Sequence, residues 1–297
     1  MSADLLIEDV HFRRDWINPY FLGRKALLVN LSDLAAMGAR PYACLLSLGL
    51  PASLVGEYFE RFITGFLEEC DRFEIPLVGG DLSRSEKVVA SVSVVGYLPS
   101  KEPLYRSGAE KGDSIVLIGD VGVSELGLRL LQQRPSEGLS EITDLLALEA
   151  WAADPDSYRW VRAHILPQIH LEAAVWLQEH QLANSMIDVS DGLGCDLLHI
   201  LEESGCSAEI RVEDIPLPPG VERISTTSRE LMLDGGEDYA LVFTCSQEQL
   251  ERLKQSYPPS FSPYRVIGRT LSGEAELRLV SDSGSEVYHR KGFDHFS

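Results

Sequence analysis

PYFLGRKALLVNLSDLAAMGARPYACLLSLGL, residues 19–50, decides the class of fold. Pro19 opens a helical period that runs to about residue 37, Gly38 closes it, and Tyr42–Leu50 follows as an apolar run of strand length. A helix handed directly to a strand is the repeating step of α/β layers. Upstream, residues 4–12 alternate apolar and polar side chains as a half-buried strand does. Downstream, Leu54–Arg72 has helical spacing, 76–79 is a short apolar strand entering Gly79-Gly80, and KVVASVSVVGYL at 87–98 is a long β-branched strand.

Around Arg106-Ser107-Gly108 the chain turns polar before a buried strand at Ser114–Gly119, which places a domain boundary after residue 112. The expected domains are therefore 1–112 and 113–297, both α/β. In the second, residues 134–160 are acidic and aromatic with no clean period. Helices follow at about 170–181, 191–204, 227–233 and 247–256, with strands at 185–189, 208–212, 239–245 and near the chain end.

The chain has 297 residues, 44% hydrophobic and 24% charged, a balance that supports a folded protein with proper cores. No apolar run reaches the ~18 residues that would span a bilayer, and MSADLLIEDVHF carries no leader pattern, so a cytoplasmic location without membrane contact is expected. Cys44, Cys70, Cys195, Cys206 and Cys245 are scattered with no metal spacing, as ordinary thiols in a reduced compartment would be. A net charge of -20 argues against nucleic acid as a partner, because binding a phosphate backbone needs clustered Lys and Arg. An anionic nucleotide needs a local reversal of the field, which divalent metal held by carboxylates supplies.

Neither a G-x-x-x-x-G-K-[ST] loop nor an H-R-D catalytic loop is present. What recurs is an aspartate at the end of a β-like run beside small or hydroxyl residues: Asp4 in SADLL, Asp33 in NLSDL, Asp81 in VGGDLS, and Asp188 and Asp191 in IDVSDG. Such aspartates are hard oxygen ligands suited to Mg²⁺; each taken singly also reads as a helix N-cap, Asp191 especially. VGGDLSR lets the backbone approach a phosphate, and equally reads as a tight turn between two strands. DGGEDYALVF at 234–243 is a Gly-Gly turn entering a strand, with more acid at Glu237 and Asp238 than a turn requires. His11, Arg106 and Phe293 each read either as ligand contacts or as, in turn, an exposed strand residue, a solvated arginine and a core cap.

Taken in order, DLLIEDVHF, GRKALLVNLSDLAAMGARP, LLSLGLP, LVGGDLSR, YRSGAEKGD, MIDVSDGL, LDGGEDYALVF and KGFDHF resemble the motif series of the thiamine-monophosphate kinase family. That family belongs to the superfamily of aminoimidazole ribonucleotide synthetase. The resemblance runs from residue 4 to residue 296, and KGFDHF separates the family from its cousins. It implies an amino-terminal α/β domain whose strands form a barrel across a homodimer, a carboxyl-terminal α/β domain, and ATP-dependent phosphorylation of thiamine monophosphate. It further implies several Mg²⁺ ions held by Asp4, Asp33, Asp81, Asp188 and Asp191, with Ser2 a weaker ligand; an ATP site at Gly80, Asp81, Arg106 and Ser190; and acceptor contacts at His11, Glu237 and Phe293. No covalent residue is expected. The alternatives left open are an impaired or non-catalytic nucleotide-binding dimer and a superfamily enzyme with another acceptor.

Two departures bear on this expectation. The family carries a strand and a G-D-D segment upstream of DLLIED, before the point where this sequence starts, and Ala3 stands where threonine is usual. An upstream extension by those elements is expected to bind Mg²⁺ better and to be the better catalyst.

Overall fold

The computed structural model describes residues 1–98, 102–133, 139–142, 144–223 and 228–289. The chain folds into two compact units. The first comprises Met1–Leu34, Arg40–Tyr97 and Gly127–Ile169, the second Ala35–Ala39, Leu98–Leu126 and His170–Ser297.

In the first unit β1 (Ser2–Ile7), β2 (Arg40–Leu50), β3 (Leu77–Arg84) and β4 (Val89–Tyr97) form an open sheet ordered β1-β4-β2-β3. β1 and β2 run antiparallel to β4, while β3 is parallel to β2. The period-2 pattern of these strands separates two faces. Leu6, Leu46, Leu48, Ala90, Val92 and Val94 are buried on one, whereas Leu5, Leu45, Val95 and Tyr97 on the other are 43%, 42%, 40% and 52% exposed. Among the described residues this sheet does not close into a barrel; it ends at β1 and β3.

The buried face carries α1 (Pro19–Ala36) and α2 (Glu57–Arg72). α1 is buried on nearly every side, its polar residues Lys25, Asn30 and Ser32 included. The two helices approach closely at reciprocal glycines: a Cβ on Gly23 would stand 2.0 Å from the Phe62 carbonyl oxygen, and one on Gly65 would stand 1.9 Å from that of Tyr20. Beside this crossing, fully buried Glu69 pairs with Arg24 at 2.5 Å. A charge without solvent keeps its ionised form only with such a partner.

α3 (Val123–Gln133), α4 (Leu145–Ala152) and α5 (Pro155–Ile165) complete the helices of this part of the chain. Residues 127–169 thus pack with the first unit, where the sequence reading has a single crossing after residue 112. Buried Lys25 of α1 donates to the His164 carbonyl at 2.8 Å, and Trp160 is fully buried. Two helices with Asp144 and Asp154 as N-caps lie in this stretch: α4 is two turns long, and α5 buries Ser157, Trp160, Val161, His164 and Ile165 at helical spacing, a stripe in which a serine and a histidine hide the apolar period.

The second unit is built on a seven-stranded mixed sheet ordered β11-β10-β7-β9-β5-β8-β6. Its strands are β5 (Ser114–Ile118), β6 (Ser185–Val189), β7 (Ser207–Arg211), β8 (Ala240–Cys245), β9 (Tyr264–Leu271), β10 (Leu277–Ser281) and β11 (Gly284–Val287). Its helices are α6 (Leu171–Glu179), α7 (Leu193–Ser204), α8 (Ser228–Asp234) and α9 (Gln247–Ser256). Ile115, Leu117, Ile187, Leu197, Leu201 and Val242 lie in its core. β6 and β8 are buried along their whole length, Ser185 and Asp188 of β6 included. The cysteines are free thiols inside the protein. No described helix is long and apolar enough to cross a membrane.

Candidate active site

In the first unit the start of β1 and the last turn of α1 bring three predicted ligands together. Ser2 and Asp4 alternate onto the covered face of the sheet, and the Ser2 hydroxyl donates to the Asp33 carboxylate on α1. Asn30, one turn before Asp33, receives the Asp4 amide on its Oδ1 at 2.9 Å and fixes β1 against the helix. Burial pushes the Asp4 carboxyl up to about 6, and the Asp33 charge pushes in the same direction. Two carboxylates and a hydroxyl held this close are short of a cation. Asp81 does not join them. Its register partner is Ser47, which pairs in turn with Ser91 and then Leu5, so it shares the open face and the opposite edge of the sheet.

The glycines before Asp81 do not make a turn. β3 runs straight through Gly79 and Gly80 beside β2, and a Cβ on Gly80 would lie 1.8 Å from the Leu46 carbonyl oxygen. With φ at 152° as well, glycine is required there for strand approach before any ligand is considered.

His11 follows β1 in a turn, and its Nδ1 accepts the Ile7 amide at 3.1 Å. A neutral ring with Nδ1 as acceptor carries its proton on Nε2, which makes that edge a donor.

In the second unit Asp188 is the buried penultimate residue of β6, and Ser190 and Asp191 form the turn into α7. Both turn amides donate at 3.0 Å to one oxygen, Oδ2 of Asp196 in the first turn of α7. Asp196 is 2% exposed. Burial pushes its carboxyl up to about 8; the two amides oppose the shift and the charges of Asp191 and Asp188 add to it. The sequence reading missed Asp196, although a lone aspartate in the apolar first turn of a buried helix was its visible signal.

Glu237 lies in the loop between α8 and β8, and its amide donates to the Ser190 carbonyl at 2.8 Å. Asp238 turns inward and receives the amides of Gly122 and Ser124 at the start of α3. Desolvation, with Asp120 nearby, pushes its carboxyl up to about 7 against the pull of those amides. Arg106 is exposed on a strap tied down by the Met186 amide to the Tyr105 carbonyl, at 2.9 Å. Phe293 lies outside the described residues.

The predicted ligands are thus divided, Ser2, Asp4, Asp33 and Asp81 in the first unit and Asp188 and Asp191 in the second. Among the described residues no three carboxylate, imidazole or thiol groups are grouped to hold a cation unaided. The oxygen-only donors nevertheless suit a hard ion that keeps several waters and shares phosphate oxygens.

Residues 1–98 match the amino-terminal domain of AIR synthase related proteins, and residues 110–278 match the carboxyl-terminal domain. The chain is 35% identical to thiamine-monophosphate kinase of Salmonella typhimurium, with 100% of this chain and 86% of that protein covered. It is 34% identical to that of Aquifex aeolicus, with 100% and 87% covered. It belongs to the thiamine-monophosphate kinase family. Among solved structures of the family, AaThiL complexed with AMPPCP and TMP superposes with a TM-score of 0.82 at 33% identity, over 99% of this chain and 86% of that one. The enzyme from Stenotrophomonas maltophilia gives a TM-score of 0.82 at 31% identity, over 96% and 85%. The hydrogenase maturation protein HypE of E. coli, 17% identical with a TM-score of 0.73, shares the fold. This thiamine-monophosphate kinase family member therefore carries both α/β domains of AIR synthase related proteins.

Proposed function

We propose that the protein is a thiamine-phosphate kinase, which transfers the γ-phosphoryl group of ATP to thiamine monophosphate and yields thiamine diphosphate and ADP. The observation that carries this reading is full-length similarity to thiamine-monophosphate kinases, joined to the Ser2, Asp4 and Asp33 cluster at the position the family motif assigns to metal.

Asp4 and Asp33 with Ser2, and Asp188 with Asp191, would hold Mg²⁺; Asp81 is a further ligand in this reading. When bound, Mg²⁺ neutralises phosphate charge and aligns the two phosphates. The chain's own groups do the rest. Arg106 offers a fork of donors to the ATP phosphates, and Ser190 and Gly80 line the nucleotide. The Nε2–H of His11 donates to the acceptor phosphate, Glu237 faces the cationic thiamine, and Phe293 stacks on one of its rings. A terminal oxygen of thiamine monophosphate attacks the γ-phosphorus; the new P–O bond forms as the bond to the β-phosphate oxygen breaks, and ADP leaves with that electron pair. A phosphate monoester is mostly ionised near neutral pH, so no strong general base is needed.

A homodimer is part of the reading. The open face of the first sheet shows Leu5, Leu45, Val95 and Tyr97 to solvent, more apolar surface than a lone sheet leaves uncovered. A second copy of that face would close the sheets into a barrel.

The test is ADP release by purified protein with ATP and Mg²⁺, with and without thiamine monophosphate. Release that depends on the acceptor supports the reading. Acceptor-independent release, or none, removes it.

A further inference from the structure

Two carboxylates that no ligand role absorbs hold the loops on either side of the second unit's candidate site. Asp196 receives the amides of Ser190 and Asp191 on a single oxygen, each at 3.0 Å. Asp238 uses both oxygens, Oδ2 for the Gly122 amide and Oδ1 for the Ser124 amide, the latter at 2.9 Å.

The segment that Asp238 anchors is strained. Glu237 and Tyr239, the residues on either side of it, have φ of 63° and 53°, which side chains other than glycine rarely adopt. Such conformations persist only where the surroundings over-determine them. Here the surroundings are the Asp238 carboxylate on α3 and two amide contacts, Glu237 to the Ser190 carbonyl and Tyr239 to the Val189 carbonyl, both at 2.8 Å. One buried carboxylate thus fixes the turn that bears Ser190 and Asp191, another fixes the turn that bears Glu237, and the two amides fasten one turn to the other.

We propose that Asp196 and Asp238 are positioning residues with separate duties, Asp196 setting the metal-binding turn at Ser190 and Asp191 and Asp238 setting the acceptor-binding turn at Glu237. This inference rests on the proposed roles of those turns. The geometry separates the two by their tolerance of asparagine. The single accepting oxygen of Asp196 survives in Asp196→Asn, whereas Asp238→Asn turns one of two accepting oxygens into a donor that faces an N–H.

The experiment measures kinetics and amide exchange together, on the full chain and four variants. Asp196→Ala is expected to raise the Mg²⁺ concentration for half-maximal rate by about 10- to 100-fold, the usual cost of losing a residue that orients a ligand, with little change in KM for thiamine monophosphate. Asp196→Asn should return close to wild type. Asp238→Ala should raise KM for thiamine monophosphate with the Mg²⁺ requirement unchanged, and Asp238→Asn should recover only part of it. By hydrogen exchange, the Ser190 and Asp191 amides should lose protection in Asp196→Ala, and those of Glu237 and Tyr239 in Asp238→Ala. The proposal is overturned if the two alanine variants share one kinetic profile, or if these amides keep wild-type protection. Should wild-type protein not phosphorylate thiamine monophosphate, the functional reading fails, and the exchange pattern alone then decides whether the two carboxylates hold the turns.

Discussion

The Asp33 charge pushes the neighbouring Asp4 carboxyl up, whereas burial pushes the His170 imidazole down. Asp33→Asn keeps an acceptor for the Ser2 hydroxyl but withdraws one negative charge from the Asp4 neighbourhood. Turnover at limiting Mg²⁺ should fall about 100-fold, the scale of several kcal/mol of metal-supplied charge stabilisation, while the thermal midpoint stays near wild type. Near-normal turnover would remove Asp33 from the ligand set. His170 is buried, and desolvation lowers its pKa to about 4 despite the Asp120 charge nearby. A histidine whose folded pKa is depressed contributes stability that is present above its unfolded pKa and lost as pH falls toward the folded value. Between pH 7 and pH 5 that loss is about 2 kcal/mol. Urea midpoints across this range should fall more steeply for wild type than for His170→Gln; parallel slopes would show that His170 does not titrate in this way.

Among elements, β3 carries the clearest difference between pattern and structure. Gly79-Gly80 reads locally as a turn, because glycine pairs usually are, and only the neighbouring β2 backbone turns it into a strand. That is information about a partner 34 positions away, from Leu46 to Gly80, which no local window holds. Gly80→Ala should therefore cost stability even without ligand, by about 1–3 kcal/mol or more through overpacking, read as a lower urea midpoint. An unchanged midpoint with lost activity would make the glycine a ligand contact alone. β2, β4 and α9 were legible because burial on one side imposes the period, and α1 because Pro19 opens and Gly38 closes its run. α4 was not, since it is two turns long, and α5 was not, since buried Ser157 and His164 break the apolar stripe that Trp160, Val161 and Ile165 begin. The sequence shows the recurrence of the aspartates, but not their faces. Asp4 and Asp81 differ in side of sheet only once the register of β1, β4, β2 and β3 is known.

For the whole molecule, the open sheet face and the place of Asp81 on it belong together. A homodimer through this face brings the Asp81 of each chain toward the second copy, so that residue and Asp4 need not act within one chain. Light scattering at micromolar concentration should give twice the mass of the 297-residue chain, and a monomeric mass would contradict the dimer. Asp4→Asn and Asp81→Asn proteins should each be inactive alone, yet co-expressed chains should regain about a quarter of the sites, because half of random dimers are mixed and one site in each is intact. No recovery in mixed dimers would place both residues in the same chain's site.

The destination of the phosphoryl group can be read by ³¹P NMR of the reaction mixture. With ATP, Mg²⁺ and thiamine monophosphate, the monoester resonance should be replaced by the two coupled resonances of thiamine diphosphate as ADP accumulates in equal amount. Free orthophosphate with the monoester resonance unchanged would contradict kinase activity on this acceptor.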